Sequence, residues 1–421
     1  MKKIFFLHDG CRHPDFFQQI MGCAKEKYAE TEIISDADVI IHFTCGFTKH
    51  NPFFFISSLA LEYKTRKAGS TVIITGCGIK MYEREILEKL EDAIVVELPD
   101  FIPKICSILE VPFKKGEYYL NDANTLTLHI VQGCLKKGGY CYFCKFNYLG
   151  IPFKSLLTIE EVVEIVSRYK IKILTLTGPN TTSYGMDFGD HKPKLHLLIK
   201  EISKIPSLKW IAVQSIASSG IYQELIDEIQ RNEKVYSVNY YFQTGSQTML
   251  NIMNIGSSIE THEKVIKAFS DKVFVTGFLM SHPGEGEQEF RETLEFIEKH
   301  NIWYTPVFVF IKSYDTPSAD FEQLSNSEFW RHYILVKEKV SKLNHKFLDS
   351  LVGTKISAFI LNIKSVPNRK IIYAQCLGIN ACCECELDID ANYEIADRVD
   401  IKVTGVKNYG DHLLSGKLEK E

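Results

Sequence analysis

Short, wholly apolar strands separated by helical stretches recur along most of this 421-residue chain, and that alternation leaves few architectures open. In the first part, KIFFL (3–7), ADVIIHF (37–43), STVIIT (70–75) and DAIVVEL (92–98) read as strands, with helical stretches at 53–66 and 82–91 between them. A strand apolar on both sides needs both sides covered, which happens in a parallel sheet flanked by helices. Three of these strands run out at a cysteine, Cys11, Cys45 and Cys77. Ligands of such sheets sit beyond the carboxyl ends of the strands. Cysteines far apart in sequence therefore converge on one edge. Three thiolates there suit zinc or an iron–sulfur cluster; the alternative is three unrelated core cysteines.

The alternation resumes after residue 121. Strands are expected at 125–133, 171–177, 209–215, 235–242, 272–279 and 305–311, with helices at 158–170, 220–231, 260–269 and 286–300. At least five such βα units predict a whole or partial (β/α) barrel, whose site gathers at the carboxyl ends of its strands. From about residue 350 the pattern changes to short strands (TKISAFILNI, KIIYAQC, DIKVTGV, HLLSGKL) with no long amphipathic helix, the pattern of a small β-barrel. The expected division is 1–120 for an α/β domain, 121–348 for the barrel domain and 349–421 for the β domain. The fold class is α/β.

The bulk numbers set limits on function. A formal net charge of -4 excludes binding to a polyanion by overall electrostatics, although a local basic face stays open. The apolar run in MKKIFFLHDG is too short for a signal peptide and no run approaches a membrane span, so a cytoplasmic protein with no membrane partner is expected. The compartment matters because the chain has 12 cysteines. Where thiols are kept reduced, metal or redox chemistry explains them better than disulfides do. Cys23 and Cys106 fall in helix-like segments and read as buried apolar residues.

Just past the first strand of the second part, GCLKKGGYCYFC places Cys134, Cys141 and Cys144 on one loop. A structural zinc site wants four ligands. Three thiolates on an Fe4S4 cluster leave one iron open, able to bind a small molecule through nitrogen and oxygen. The glycines of the loop let it wrap such a cluster closely. A zinc site completed by a distant histidine is the alternative.

With these motifs in order, the sequence resembles the radical S-adenosylmethionine enzymes, and among them the methylthiotransferase family. HDGCRHPDF, DADVIIHFTCGFT and VIITGCGI are similar to the family's three N-terminal cysteine motifs. TLTGPNTTSYGMDFGD, QTGSQTMLNIMN and SHPGEGEQEF resemble its blocks in the central domain, and the tail ending VTGVKNYGDHLLSGKL resembles its TRAM barrel. The resemblance implies two [4Fe-4S] clusters. Cys134, Cys141 and Cys144 would hold the catalytic one, and Cys11, Cys45 and Cys77 an auxiliary one. S-adenosyl-L-methionine would bind at the open iron and yield a 5'-deoxyadenosyl radical. Phe143 would lie near the adenine. Gly178, Asn180, Gln243, Ser246 and Glu285 would contribute to the cofactor site. The TRAM barrel would help to hold the substrate.

The chain departs from the family in three ways. Six residues separate the first and second loop cysteines instead of three. Arginine positions of the family fall at Leu149, Ala212 and Tyr314 or Asp315, and a position where a basic residue is usual falls at Ile255, which weakens any hold on phosphates or a carboxylate. The tail carries Cys376, Cys382, Cys383 and Cys385 within ten residues. Four thiolates there would satisfy zinc or a third cluster, but adjacent strand residues point to opposite faces, so Cys382 and Cys383 cannot both ligate unless the segment is a loop. Reactive thiols and plain structural cysteines are the alternatives. Asp187 and Asp190 read as loop surface or as cofactor or substrate contacts, and His13, His50 and His282 as surface or packing residues.

The implied reaction is formation of a C–S bond at an unactivated C–H position, by methylthiolation or sulfur insertion. From residue 351 onward nine Lys and Arg face ten Asp and Glu, including the run Glu384, Glu386, Asp388 and Asp390. That balance and the missing arginines favour a peptide or protein substrate over tRNA. The alternatives are a tRNA adenosine methylthiotransferase and a non-catalytic iron–sulfur protein that binds RNA. A reductase such as flavodoxin or ferredoxin is the expected electron partner, and the sulfur donor is not legible.

Overall fold

The apolar runs of the first part pair as β1 (Lys2–His8), β2 (Tyr28–Glu30), β3 (Val39–Thr44), β4 (Thr71–Gly76) and β5 (Ile94–Val96). All neighbours are parallel, in the order β2-β1-β3-β4-β5. In this computed structural model the described residues are 1–8, 14–44, 63–79, 86–88, 90–120, 124–136, 139–312, 316–388 and 390–419. They form two compact units, Met1–Asn121 with Phe146–Ile151, and Asp122–Lys145 with Pro152–Glu421.

In the first unit, β3 is buried along its whole length because each face has its own cover. Val39, Ile41 and Phe43 join the cluster built by the helices Pro14–Ala24 and Phe101–Ile108. Ile40 joins Val72, Ile74, Tyr63 and Ile86 on the opposite side. Two covered faces are what a run without polar alternation requires. Cys23 and Cys106 lie on the two covering helices and pack with the core, as their helix-like context suggested. The helices expected at 53–66 and 82–91 lie largely outside the described residues. The short strand β2 has no counterpart among the expected elements.

The second unit opens with β6 (Thr125–His129) and a small antiparallel pair, β7 (Val131–Gln132) and β8 (Lys154–Ser155). β9 (Ile173–Thr177), β10 (Trp210–Ile216), β11 (Val235–Tyr240) and β12 (Val273–Val275) complete a parallel sheet in the order β12-β11-β10-β9-β6. The strand expected at 272–279 divides at Thr276. Its second half, β13 (Phe278–Met280), pairs with β14 (Val307–Val309) and, among the described residues, is linked towards the large sheet by the bridge between Gln243 and Phe278. Among the described residues this is a partial barrel. Its helices follow the expected periodicity, and Leu195–Ile202, Gln247–Ile252 and the long helix Asn326–Ser350 are additional.

Register divides the sheet into two faces. Leu126, Leu174 and Ile211 stand side by side, as do Leu128, Leu176, Val213 and Val238, all fully buried. The alternate row runs Thr127, Thr175, Ala212 and Ser237. The next residues along the strands on that face are His129, Thr177, Gln214 and Asn239. The inner wall of the partial barrel is therefore polar towards the carboxyl ends of its strands.

β15 (Lys355–Val366), β16 (Arg369–Cys376), β17 (Cys382–Asp388), β18 (Arg398–Asn408) and β19 (Leu413–Leu418) close a five-stranded barrel. This barrel packs on the amino-terminal edge of the sheet. Trp210, the first residue of β10, stacks on Phe359 with ring centroids 4.6 Å apart. Its indole N–H donates to the Ala396 carbonyl at 2.9 Å. Ile173, which opens β9, belongs to the same cluster, and Lys172 pairs with Glu394 at 2.7 Å.

β17 settles how the tail cysteines are arranged. Cys383 and Cys385 point into the barrel, where Cys376 joins them among Ile360, Ile372, Ile401 and Leu414. Cys382 points the other way, its thiol 3.8 Å from Oε1 of Gln375. The four thiols therefore do not surround one point, and the zinc or third-cluster reading of Cys376, Cys382, Cys383 and Cys385 is corrected by strand alternation itself. Glu384, Glu386 and Asp388 of the acidic run form the outer row of the same strand. Glu384 pairs with Lys407, and Glu386 pairs with Arg369 at 2.9 Å.

One buried histidine gives this unit a measurable pH dependence. His262 is fully enclosed, its Nδ1 3.0 Å from the Tyr240 hydroxyl. Burial holds its imidazole below the usual value of 6.5, at about 4. The folded form thus resists a proton that the unfolded chain accepts. Its contribution to stability is complete above pH 6.5 and lost as pH falls through that window. The expected cost on acidification is about 3 kcal/mol. Denaturant titrations of wild type and His262→Phe across that range test it, and parallel profiles would refute it.

Candidate functional site

β6 and β7 deliver the chain to Gly133, and the cysteine loop starts there at the carboxyl edge of the sheet. Gly133 adopts φ +64, and a Cβ on it would lie 2.6 Å from the Pro152 carbonyl oxygen. Only glycine allows the loop to leave the strand so close to its neighbour. Cys134, Cys141 and Cys144 are all half-buried. The amide N–H of Cys144 donates to the Cys141 carbonyl at 3.2 Å, closing a turn that carries the second and third thiols.

The loop is fastened on two sides. Towards β9, the Asn180 amide and the Ser183 hydroxyl each donate to the Leu135 carbonyl at 2.7 Å. Towards the helix Gln247–Ile252, the Tyr142 amide donates to the Met253 carbonyl at 3.0 Å, and Asn254 Nδ2 donates to the Tyr140 carbonyl at 2.8 Å. The Ser318 amide donates to the Tyr142 carbonyl at 3.2 Å. Cys141 and Phe143 rest against Met249, Leu250, Met253, Ile255, Leu279 and Phe310. Burial pushes the Cys134 thiol up to about 11; nearby Cys141 adds to the shift and the Asn180 hydrogen bond offsets part of it. A proton held that firmly leaves readily only when a cation replaces it, which is how metal binding is coupled to thiol ionisation.

Among the described residues, no three His, Cys, Asp or Glu side chains stand close enough to hold a single metal ion. An iron–sulfur cluster spreads its cysteines over separate irons. Three soft donors on one glycine-bearing loop, against an apolar wall, fit the cluster better than the single ion.

The remaining expected cofactor residues separate into those beside the loop and those turned away from it. Phe143 lies edge-on to the His282 ring, with centroids 6.2 Å apart. His282 is a packing residue, as its context suggested: it is buried, with Nε2 2.7 Å from the Ser318 hydroxyl. Asn180 acts through the loop it fastens. A Cβ on Gly178 would collide with the Val131 side chain at 2.4 Å, so this glycine serves close packing. Gln243 sits at φ 70, its backbone bonded to Gly277 and Leu279 and its side chain half-buried. Ser246 is fully buried and caps the helix Gln247–Ile252. Glu285 is also turned inward. Its Oε2 accepts from the Ser281 amide at 2.7 Å and lies 2.9 Å from His332 Nδ1. Asp187 accepts from the Ser155 amide and hydroxyl, and Asp190 pairs with Lys194 on the surface.

The polar inner row escaped the sequence reading. Asn239 has a buried Oδ1 with no hydrogen-bond partner among the described residues, the kind of group that awaits a donor from a ligand. The signal was present as period-two alternation in TLTLH, ILTLT and VYSVNY. Ala212 stands in the same row, and Ile255 belongs to the apolar wall beside Cys141. Both of these positions, expected to be basic from the resemblance, carry small or apolar side chains at the site.

In the first unit, Cys77 directly follows β4. Its thiol lies 3.9 Å from the Thr44 carbonyl, at the last residue of β3. The flanking glycines make this approach possible, since a Cβ on Gly76 would lie 2.3 Å from that carbonyl and one on Gly78 would lie 2.8 Å from the Thr44 side chain. Cys11 and Cys45 lie outside the described residues. Their strands β1 and β3 are adjacent and parallel, with β3 next to β4, so the three cysteines follow three neighbouring carboxyl ends. The chain reverses direction of build between β1 and β3, the crevice where open α/β sheets bind ligands.

Comparison with known proteins agrees with this layout. Residues 128–297 match the Radical SAM superfamily, and residues 3–97 match the uncharacterized protein family UPF0004. The ribosomal protein uS12 methylthiotransferase RimO of Clostridium botulinum (strain Eklund 17B / Type B) is 28% identical over 78% of this chain and 81% of its own length. That of Campylobacter jejuni (strain RM1221) is 27% identical over 84% of both. The solved structure of the radical S-adenosylmethionine methyltransferase TsrM from Kitasatospora setae has the same fold, with a TM-score of 0.54 at 11% identity over 88% of this chain and 77% of that one. No described helix is long and apolar enough to cross a membrane. With its Radical SAM match behind an N-terminal UPF0004 match and ahead of a TRAM-like barrel, the chain is laid out like the RimO-type methylthiotransferases that it resembles over most of its length.

Proposed function

We propose that this enzyme methylthiolates a protein or peptide, with residues 1–120 and 121–348 each supplying one cluster-binding triad and 349–421 contributing to substrate handling. The observation that carries the substrate assignment is the match, over most of both chains, to enzymes named for a ribosomal protein. The character of the site supports it. Ala212 in the inner wall and Ile255 in the loop wall carry no charge to contribute to a hold on a phosphate backbone, and the tail is close to neutral.

Cys134, Cys141 and Cys144 would hold one [4Fe-4S] cluster, and Cys11, Cys45 and Cys77 the other. Loaded, the first would supply the electron that cleaves the sulfonium of S-adenosylmethionine. The chain's own residues do the rest. Asn180, Ser183 and Met253 fix the loop so that its thiols present one face. Phe143 and the wall around Met249 exclude water and offer an apolar surface to an adenine ring. Asn239 and the polar row of β6, β9, β10 and β11 provide hydrogen-bonding partners for a bound nucleoside or peptide. A cytoplasmic setting, with a flavodoxin or ferredoxin as electron source, suits thiols that must stay reduced.

Mass spectrometry of ribosomal proteins and of bulk tRNA from wild-type and deletion strains tests the assignment. A protein or peptide that loses the mass of one methylthio group in the deletion strain is the expected result. Loss of that group from tRNA, with the proteins unchanged, would overturn it.

A further inference from the structure

The six-residue spacing between Cys134 and Cys141 contributes a charge as well as slack. Lys136, within it, places its ammonium Nζ 3.3 Å from the Cys141 sulfur and donates a second hydrogen bond to the Asn254 carbonyl. The lysine is held in place. Asn254 also bonds the Tyr140 carbonyl, and Met253 bonds the Tyr142 amide, so the spacer and the end of the helix Gln247–Ile252 are stitched together on both sides of Cys141. No carboxylate pairs with Lys136 among the described residues. Cys141 itself leans on an apolar wall of Met249, Leu250, Met253 and Ile255, where a charge acts over low polarity.

We infer that Lys136 tunes the cluster held by the loop: its ammonium caps the Cys141 sulfur and raises the reduction potential of that cluster. This rests on the assignment of the triad made above. Reduction adds one electron, drawn from the external reductant, to a centre whose thiolate ligands are already anionic. A fixed cation donating N–H to one of those sulfurs favours the reduced state, and hydrogen bonds to cluster sulfurs are among the means by which proteins set such potentials.

The test uses the full chain, reconstituted anaerobically with iron and sulfide and titrated with dithionite. The paramagnetic signal that changes on adding S-adenosylmethionine is followed in wild type, Lys136→Met, Lys136→Gln and Lys136→Arg. The Met variant is expected at a more negative midpoint than wild type, the Gln variant between them and the Arg variant at the wild-type value. An unchanged midpoint in Lys136→Met at wild-type iron content overturns the inference. Loss of iron from both Met and Gln variants, with Arg retaining it, also overturns it by making Lys136 an assembly residue. A wild-type protein without any signal responsive to S-adenosylmethionine would instead remove the triad assignment, and this inference with it.

Discussion

Cys141→Ala is expected to lower the iron content of anaerobically reconstituted protein by one cluster, about four atoms, and to reduce cleavage of S-adenosylmethionine to background. The reason is geometric. Cys141 opens the turn that also carries Cys144, and its sulfur is the one beside Lys136. With that donor removed, the two remaining thiols sit at opposite ends of the loop. Cys134→Ala and Cys144→Ala should behave alike, because each thiol would hold a different iron. Cys383→Ala and Cys382→Ala serve as controls. The first removes a barrel core side chain and the second an outward one, and neither should change the iron count. Wild-type iron and undiminished cleavage in Cys141→Ala would disprove the assignment of this loop. A drop in iron on removing a tail cysteine would reinstate the tail as a metal site.

The second large effect is expected far from the chemistry. Trp210→Ala should destabilise the second unit by about 3–5 kcal/mol, the usual cost of truncating a buried aromatic. Trp210 stacks on Phe359, lies edge-on to Tyr236 and gives its N–H to the Ala396 carbonyl. Its loss removes ring packing and leaves a buried acceptor without its partner. The barrel should loosen from the sheet while the cysteine loop, at the other end of the strands, keeps its iron. Denaturant unfolding read beside iron content separates the two. A midpoint within the range of a surface substitution, about 0.5 kcal/mol, would show that this contact does not hold the barrel in place.

That placement qualifies the substrate-holding role expected of a TRAM barrel. Ile173, Trp210 and Tyr236 belong to the amino-terminal ends of their strands, whereas the cysteine loop leaves from the carboxyl edge. A substrate that uses the barrel must therefore reach along the length of the sheet. The outward row of β17 carries Glu384 and Glu386 already paired with Lys407 and Arg369.

The strands of the first unit were legible because β1, β3 and β4 are apolar on both faces and end at recognisable turns. Their cysteines were legible because a parallel sheet puts equivalent strand ends together. β17 was harder to read. CCECELD looks like a charged, cysteine-rich loop until alternate residues are separated, when Cys383, Cys385 and Leu387 form an inward row and Cys382, Glu384 and Glu386 an outward one. Ser246 and Glu285 show a different difficulty. Both sit in motif blocks near the site, yet a helix terminus takes the serine, and the Ser281 amide with His332 takes the carboxylate. A motif shows which residues are close; the competition among hydrogen-bond partners decides where a polar side chain points.

From its sequence alone, this protein was committed to parallel α/β packing, a closing β-barrel, and thiols at strand ends, because apolar periodicity and strand–helix alternation are local properties of the chain. The tertiary structure alone decided that Lys136 meets Cys141, that Asn239 faces inward with an open acceptor, that three tail cysteines disappear into a core, and that the barrel sits at the amino edge of the sheet. Lys136 and Cys141 are only five residues apart, but the Asn254 carbonyl that holds the lysine, like the surfaces that bury the tail cysteines and seat the barrel, comes from a segment distant along the chain.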